Sequence, residues 1–272
     1  GVQTCALPIS LSKQTITSLQ KSKNNTKLVM VTAYDALFAK LLDNNVDMIL
    51  VGDSLNMSFA GEEDTLSATL DQMIYHTKAV CAGAPNTFIV CDMPFGTYTD
   101  ETIALKSAVE VYQKTKAAAV KIEGGASKAP VIKALTSNSI AVMGHIGLMP
   151  QFVRSEGGYK VKGKDEQNTL QLINDAKAVE AAGAFAIVVE GVKAEAAAQI
   201  TAAVNIPVIG IGAGKDVDGQ VLVWSDMFGF FEDFKPKFVR QYLNGAELIK
   251  NGLSEFNKNV KDGSFPCEAE MY

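Results

Sequence analysis

Five short apolar segments of this chain each end in side chains of the kinds that bind metals, hold anions or move protons. Asp53 and Ser54 close MILVGDS, Asp92 closes TFIVCD, and Lys121 and Glu123 lie in AVKIEGG. His145 ends IAVMGH, and Glu190 ends FAIVVE. Asp53, Asp92 and Glu123 gathered at one point would repel one another unless a cation lay among them. An all-oxygen set suits Mg²⁺, which takes one or two carboxylates directly and keeps several waters. Any one of the three alone would as readily cap a helix or accept backbone N–H groups at a turn. Three together at segment ends favour a metal site, some of them acting through water.

Val120 and Ile122 share one face of their segment, so Lys121 and Glu123 share the other. A lysine nucleophile would need a depressed pKa, whereas Glu123 beside it favours the ammonium form. The favoured reading is a charged lysine that pairs with a substrate carboxylate or a developing oxyanion, with a plain Lys–Glu ion pair as the alternative. Glu190 follows Val188-Val189 in an apolar wall, a setting that raises a carboxylate's pKa and suits a general base. A hydrogen-bond acceptor that merely orients a neighbour is the other reading. His145 is one of only 2 histidines; it could orient a ligand, polarise a carbonyl, or serve the fold alone.

These groups need elements to position them. Strands are expected at 28–33, 48–53, 87–92, 118–123, 140–145, 185–190, 207–212 and 221–225. Their nearly continuous apolar content is that of parallel strands covered on both faces. Amphipathic helices are expected at 35–45, 70–82, 101–116, 127–137, 166–182 and 193–204, with a helical region over about 235–260. Only a turn fits between the last two strands. Eight alternating units in 272 residues point to an α/β fold, a single (β/α)8 TIM barrel spanning 13–272. Residues 1–12 (GVQTCALPISLS) read as a non-native or disordered extension. A doubly wound open sheet is the competing fold, but Thr32-Ala33-Tyr34-Asp35 stands where a G-x-G-x-x-G would follow the first strand. In a barrel, all five charged strand ends fall at the catalytic mouth. The segment 146–164, IGLMPQFVRSEGGYKVKGK, lacks an apolar period and carries Gly157, Gly158 and Gly163, as a lid over that mouth would.

The net charge of −5 and the absence of a basic stripe argue against nucleic acid as partner. No apolar run approaches the roughly 20 residues of a membrane-spanning helix. The 4 cysteines show no C-x-x-C spacing, and free thiols in a cytoplasmic protein are the simplest reading.

Seven segments in series carry a family resemblance: VTAYD (31–35), VGDSL (51–55), DMPFGTY (92–98), KIEGG (121–125), GHIGLMPQ (144–151), GGYKVKGK (157–164) and IPVIGIGAGKDVDGQVLV (206–223). From about Thr15 to Pro266 the chain resembles the ketopantoate hydroxymethyltransferase family. The resemblance implies a Mg²⁺-dependent (β/α)8 enzyme of pantothenate and coenzyme A biosynthesis. Such an enzyme transfers a hydroxymethyl group from 5,10-methylenetetrahydrofolate to 3-methyl-2-oxobutanoate through a Mg-stabilised enolate, giving 2-dehydropantoate (ketopantoate). It implies metal positions at Asp53, Asp92 and Glu123 and ketoacid contacts at Asp53, Ser54, Asp92, Lys121 and His145. It further implies Glu190 as catalytic base and a homo-oligomer, commonly a decamer. Folate contacts are not assigned by it. Asn56 replaces a usual glycine, Met149 a common threonine and Lys193 a frequent proline, and GSFPCEAEMY matches the family ending loosely. Asn56 puts the loop beside the metal in question. The rivals are a Mg-dependent 2-oxo-acid lyase of the phosphoenolpyruvate mutase and isocitrate lyase type, and a non-catalytic metabolite-binding barrel. The former typically carries a Lys-Cys-Gly-His loop, which is absent here, and the latter has no need of a base at Glu190.

Overall fold

Eight parallel strands close on themselves in sequence order, each paired to its two neighbours, with β8 returning to β1. In the computed structural model, residues 13–232 and 235–272 are described; the expected extension at 1–12 lies outside them. The strands are β1 (Leu28–Thr32), β2 (Met48–Val51), β3 (Phe88–Asp92), β4 (Ala119–Glu123), β5 (Val142–Gly147), β6 (Ala186–Glu190), β7 (Val208–Ile211) and β8 (Gly219–Leu222). The helices are α1 (Ile16–Lys21), α2 (Ala36–Leu42), α3 (Leu55–Ser58), α4 (Leu70–Gly83), α5 (Glu101–Lys114) and α6 (Ala129–Ser137). They continue with α7 (Val153–Glu156), α8 (Glu166–Ala181), α9 (Ala194–Ala203), α10 (Trp224–Met227) and α11 (Gly245–Asp262).

The strands are buried almost throughout because helices cover them outside and side chains fill them inside. Side chains alternate along a strand, and the inward set is Leu28 and Met30, Met48 and Leu50, Phe88 and Val90, Ala119, Met143, Ala186 and Val188, Ile209 and Ile211, and Val221. Leu19 of α1 joins this cluster with no exposed surface. Thr15 starts α1 with a capping box to Ser18, which satisfies two of the helix's orphan donors at once. Asp35, Thr69, Asp100 and Asp165 likewise accept backbone N–H groups at the starts of α2, α4, α5 and α8.

Between β7 and β8 there is a turn and no helix, as the short spacing requires. β8 begins at Gly219, two residues before its expected start, because it pairs from Leu28↔Gly219 onward. A Cβ at Gly219 would lie 2.6 Å from the Leu28 carbonyl oxygen, so this close approach admits only glycine. Buried Asp218 ties the seam: it pairs with Lys23 at 2.8 Å and accepts from the N–H groups of Asn24 at 3.1 Å and Val208 at 2.9 Å.

The segment after β5 carries more local structure than its sequence pattern indicates: a 3₁₀ turn over Pro150–Phe152 and then α7. Gly157 ends α7 in the left-handed region at φ 67°, which a side chain would disfavour. Lys162 then bridges to Val192 as an isolated parallel pair.

The chain divides into two compact units, the first ending at Val223 and the second running from Trp224 to Tyr272. The helical region expected from about 235 starts only at Gly245 within the second unit. Pro236 and the non-helical Asn244, at ψ 72°, precede it. α11 carries exposed Leu248, Ile249, Leu253, Phe256 and Val260, a stripe at helical spacing. Among the described residues, no helix is long and apolar enough to cross a membrane.

Removing the carboxylate of Asp218 strands two backbone donors and leaves the Lys23 ammonium without its counter-charge, held only by the Thr201 carbonyl at 2.7 Å among the described residues. Asp218→Ala is expected to lower stability by about 3–5 kcal/mol, seen as a lower urea midpoint; an unchanged midpoint would refute the seam's role.

Candidate active site

The inward alternation that fills the barrel continues to its C-terminal end, where the side chains change from apolar to ionisable. Counting by twos, Val90 leads to Asp92, Ala119 to Lys121 and Glu123, Met143 to His145, and Val188 to Glu190. Strand register then sets neighbours. Asp92 pairs with Lys121 and Glu123 with His145, while Glu190 pairs with Gly147, two residues beyond His145. Asp53 lies two residues past β2, outside the alternation. Its turn brings its own N–H to Asp92 Oδ2 at 3.0 Å. A Cβ on Gly52 would come within 2.8 Å of Ser54 Oγ and 3.4 Å of Asp92 Oδ2, so the glycine keeps this corner open.

The structure brings all the sequence-predicted residues together. Lys121 Nζ lies 2.9 Å from Asp92 Oδ1, 3.9 Å from Glu123 Oε1 and 3.0 Å from His145 Nδ1. His145 Nε2 lies 3.0 Å from the Leu148 carbonyl and 3.4 Å from Glu190 Oε2. Asp53, Asp92, Lys121, Glu123 and His145 are all buried, whereas the Glu190 side chain keeps 21% of its surface exposed. Ser54 Oγ meets the Tyr34 hydroxyl at 2.7 Å; burial pushes that phenol up to about 12.

Burial and the charges of Asp92 and Glu123 hold the Asp53 carboxyl well above the usual range. Burial raises Asp92 as well, against the Lys121 cation. Burial also acts on Glu123, but His145, Lys121 and the Gln151 N–H outweigh it and lower that carboxyl. Lys121 is raised: burial opposes its charge, and Asp92, Glu123 and Asp53 outweigh burial. A lysine so held is an ammonium at neutral pH and no amine nucleophile. For His145, burial and Lys121 disfavour a second proton, while Glu123 and Glu190 favour one and lift its pKa to about 9. The hydrogen bonds decide between these. An ammonium has only protons to donate, so Nδ1 at 3.0 Å from Lys121 must accept and Nε2–H must donate to the Leu148 carbonyl. While Lys121 stays charged, the ring is the neutral Nε2–H form.

Two residues inside the quoted motifs were given no role from sequence, Tyr98 and Gln151. Gln151 donates from Nε2 to Asp53 Oδ2 at 2.8 Å and to the Met93 carbonyl at 3.0 Å, and its N–H donates to Glu123 Oε2 at 3.0 Å. The Tyr98 hydroxyl donates to Gln151 Oε1. One buried residue therefore orients two carboxylates, Asp53 through its side-chain amide and Glu123 through its backbone N–H. Asn56, where the family resemblance leads one to expect glycine, is also buried and donates to the Asp64 carbonyl at 2.8 Å and Ser67 Oγ at 2.9 Å. It fastens the loop beside Asp53.

Two carboxylates pair with Lys121 and a third, Asp53, lies against Asp92, a surplus of negative charge in a buried place. A divalent cation would relieve the repulsion that raises Asp53. Among the described residues, no group of three or more His, Cys, Asp or Glu side chains is arranged to hold a metal by itself. Mg²⁺ needs only one or two carboxylates directly and keeps several waters. Asp53 and Asp92 are the pair that could hold it.

The model of the ketopantoate hydroxymethyltransferase family matches residues 13–268. The chain belongs to this family. It is 67% identical over 263 residues to the 3-methyl-2-oxobutanoate hydroxymethyltransferase of Aliarcobacter butzleri (strain RM4018), covering 97% of this chain and 98% of that one. The enzyme of the same name from Helicobacter pylori (strain P12) is 56% identical over 262 residues, covering 96% and 97%. The fold is shared more widely. A 2,3-dimethylmalate lyase of the PEP mutase/isocitrate lyase superfamily superposes with TM-score 0.58 at 17% identity, covering 94% of this chain and 91% of that one. Phosphonopyruvate hydrolase superposes with TM-score 0.60 at 14% identity, covering 96% and 92%.

The raised Asp53 pKa has a sign that can be measured. Its folded value lies well above the ordinary aspartate value of about 3.9, so the folded state holds the proton more tightly. The associated stability is present at low pH and lost as pH rises from about 3.9 through the folded value. Asp53→Asn removes this loss. In chelator at pH 7 the variant is expected to melt above the parent, by roughly 2–4 °C for each ~1 kcal/mol relieved. Mg²⁺ should raise the melting temperature of the parent alone. A variant that melts lower in chelator would contradict the repulsion.

Proposed function

We propose that the barrel transfers a hydroxymethyl group from 5,10-methylenetetrahydrofolate to 3-methyl-2-oxobutanoate, forming 2-dehydropantoate on the route to pantothenate. The observation that carries this reading is the charged, buried Lys121 joined through His145 to the half-buried Glu190. A general base and a fixed positive charge are thereby set on one wall, as removal of a proton next to a carbonyl requires.

Glu190 accepts the C3 proton of the ketoacid. Lys121, with its ammonium kept charged by Asp92, counters the negative charge that moves onto the keto oxygen. The neutral His145 holds its proton at Nε2, towards Leu148, and orients Glu190 and Lys121 relative to one another. Ser54 and the Asp53 turn bind the acid's polar end. Mg²⁺ held by Asp53 and Asp92, with Glu123 acting through water, would supply Lewis-acid polarisation of the 2-oxo acid.

The balance of bonds is simple. C3 loses its proton and bonds to the methylene carbon, and water supplies the hydroxyl oxygen. The two folate nitrogens keep the electron pairs of the broken C–N bonds and take up protons. Water must be limited at this step, and the 146–164 segment is the lid this requires. The apolar stripe on α11 supports a homo-oligomer, a decamer by family resemblance, since an exposed face of this size favours a partner. The buried free thiols of Cys81 and Cys91 suit a cytoplasmic enzyme.

Exchange of the C3 hydrogen of 3-methyl-2-oxobutanoate for deuterium isolates the first step. Mg²⁺-dependent exchange is expected in the parent protein, reduced about 10²–10⁴-fold in Glu190→Gln with ketoacid affinity retained. Undiminished exchange in that variant would sink the base assignment.

A further inference from the structure

Beside the carboxylate cluster lies a cavity of about 420 Å³ lined by Leu66, Ser67, Phe95, Gln151, Phe152 and Arg154. Its size falls in the roughly 300–1,000 Å³ range of small-molecule sites. Gln151 belongs to both places: its Nε2 is on Asp53 while the residue lines the cavity. A second cavity of about 680 Å³ lies by the starts of α8 and α9, lined by residues such as Lys164, Leu170 and Lys193. It shares no residue with the cluster.

Several features of the first cavity have no use in binding a small ketoacid. Phe95, three residues past the end of β3, is 55% exposed and lines this cavity. Arg154 is exposed and, among the described residues, its guanidinium is held by Asp64 alone, at 3.1 and 3.2 Å. Such a surface ion pair is worth little and exchanges readily for another carboxylate. Asn56, which replaces the family's usual glycine, fixes the Asp64–Ser67 wall through its amide. Aromatic faces, one guanidinium at the rim and a wall shared with the reacting centre together suit a flat heteroaromatic molecule with an anionic tail.

We propose that this cavity seats the one-carbon donor, with the pteridine and aminobenzoyl rings against Phe95 and Phe152 and the glutamyl carboxylate at Arg154. Gln151 is the partition between donor and carboxylates, so the methylene carbon enters from the β3–β5 side of the mouth. This assignment rests on the reaction proposed above and deepens it by placing the second substrate.

The test compares Michaelis constants for the two substrates in the parent, Phe95→Ala, Phe152→Ala, Arg154→Ala and Lys193→Ala proteins. Phe95→Ala and Phe152→Ala should each raise KM for methylenetetrahydrofolate about tenfold or more, the loss of roughly one aromatic contact. KM for the ketoacid should move much less. Arg154→Ala should weaken tetrahydrofolate in a thermal-shift titration and leave 6-methyltetrahydropterin, which lacks the glutamyl tail, unaffected. Folate KM values indifferent to all three changes, or raised only by Lys193→Ala, overturn the site while the reaction stands. A parent protein that neither binds tetrahydrofolate nor transfers carbon contradicts both.

Discussion

Everything at the mouth of this barrel is arranged around one buried ammonium group. Lys121 is 4% exposed, and burying such a charge without partners is costly. Asp92 at 2.9 Å, Glu123 at 3.9 Å and the Nδ1 lone pair of His145 at 3.0 Å make it tolerable. Each partner is then constrained in turn. Asp92 must stay ionised despite burial, Glu123 is lowered, and His145 is kept to one proton. At Asp53, burial and the charges of Asp92 and Glu123 outweigh the lysine, and its carboxyl is raised. An added cation there would relieve that repulsion.

The fold supplies these distances through two simple rules. Alternation puts every second residue of a strand inside, so the residues that end the inner rows face the mouth. Parallel register makes Asp92 the neighbour of Lys121 and Glu123 the neighbour of His145. Neither rule involves a loop. The groups that handle charge are therefore carried by the most rigid part of the molecule, which favours preorganised electrostatics. The connections after the strands do other work: Gln151, from the segment after β5, locks two carboxylates, and Asn56, on the short helix α3 after β2, shapes the wall of the neighbouring cavity.

Much of this was legible in the sequence, because apolar runs and period-2 counting depend only on local pattern. The eight strands, the barrel and the inward set Asp92, Lys121, Glu123, His145 and Glu190 follow from it. Loop contacts could not be read in that way. Gln151 reaches Asp53 across 98 positions, and no local periodicity encodes such a contact. The tautomer of His145 depends on a lysine 24 residues earlier. The helical region expected from about 235 begins only at Gly245, because Pro236 and the non-helical backbone at Asn244 precede it. Family membership adds a name for the chemistry, while the placement of charges is what makes that chemistry physically reasonable.

The proposed chemistry requires Lys121 to be a permanent charge and never a covalent nucleophile. Borohydride treatment of the protein with 3-methyl-2-oxobutanoate, followed by mass analysis of the peptide containing Lys121, tests it most directly. An unmodified peptide is expected, with C3 exchange lost on chelation. A reduced ketoacid adduct on Lys121 that forms equally well in chelator would contradict it.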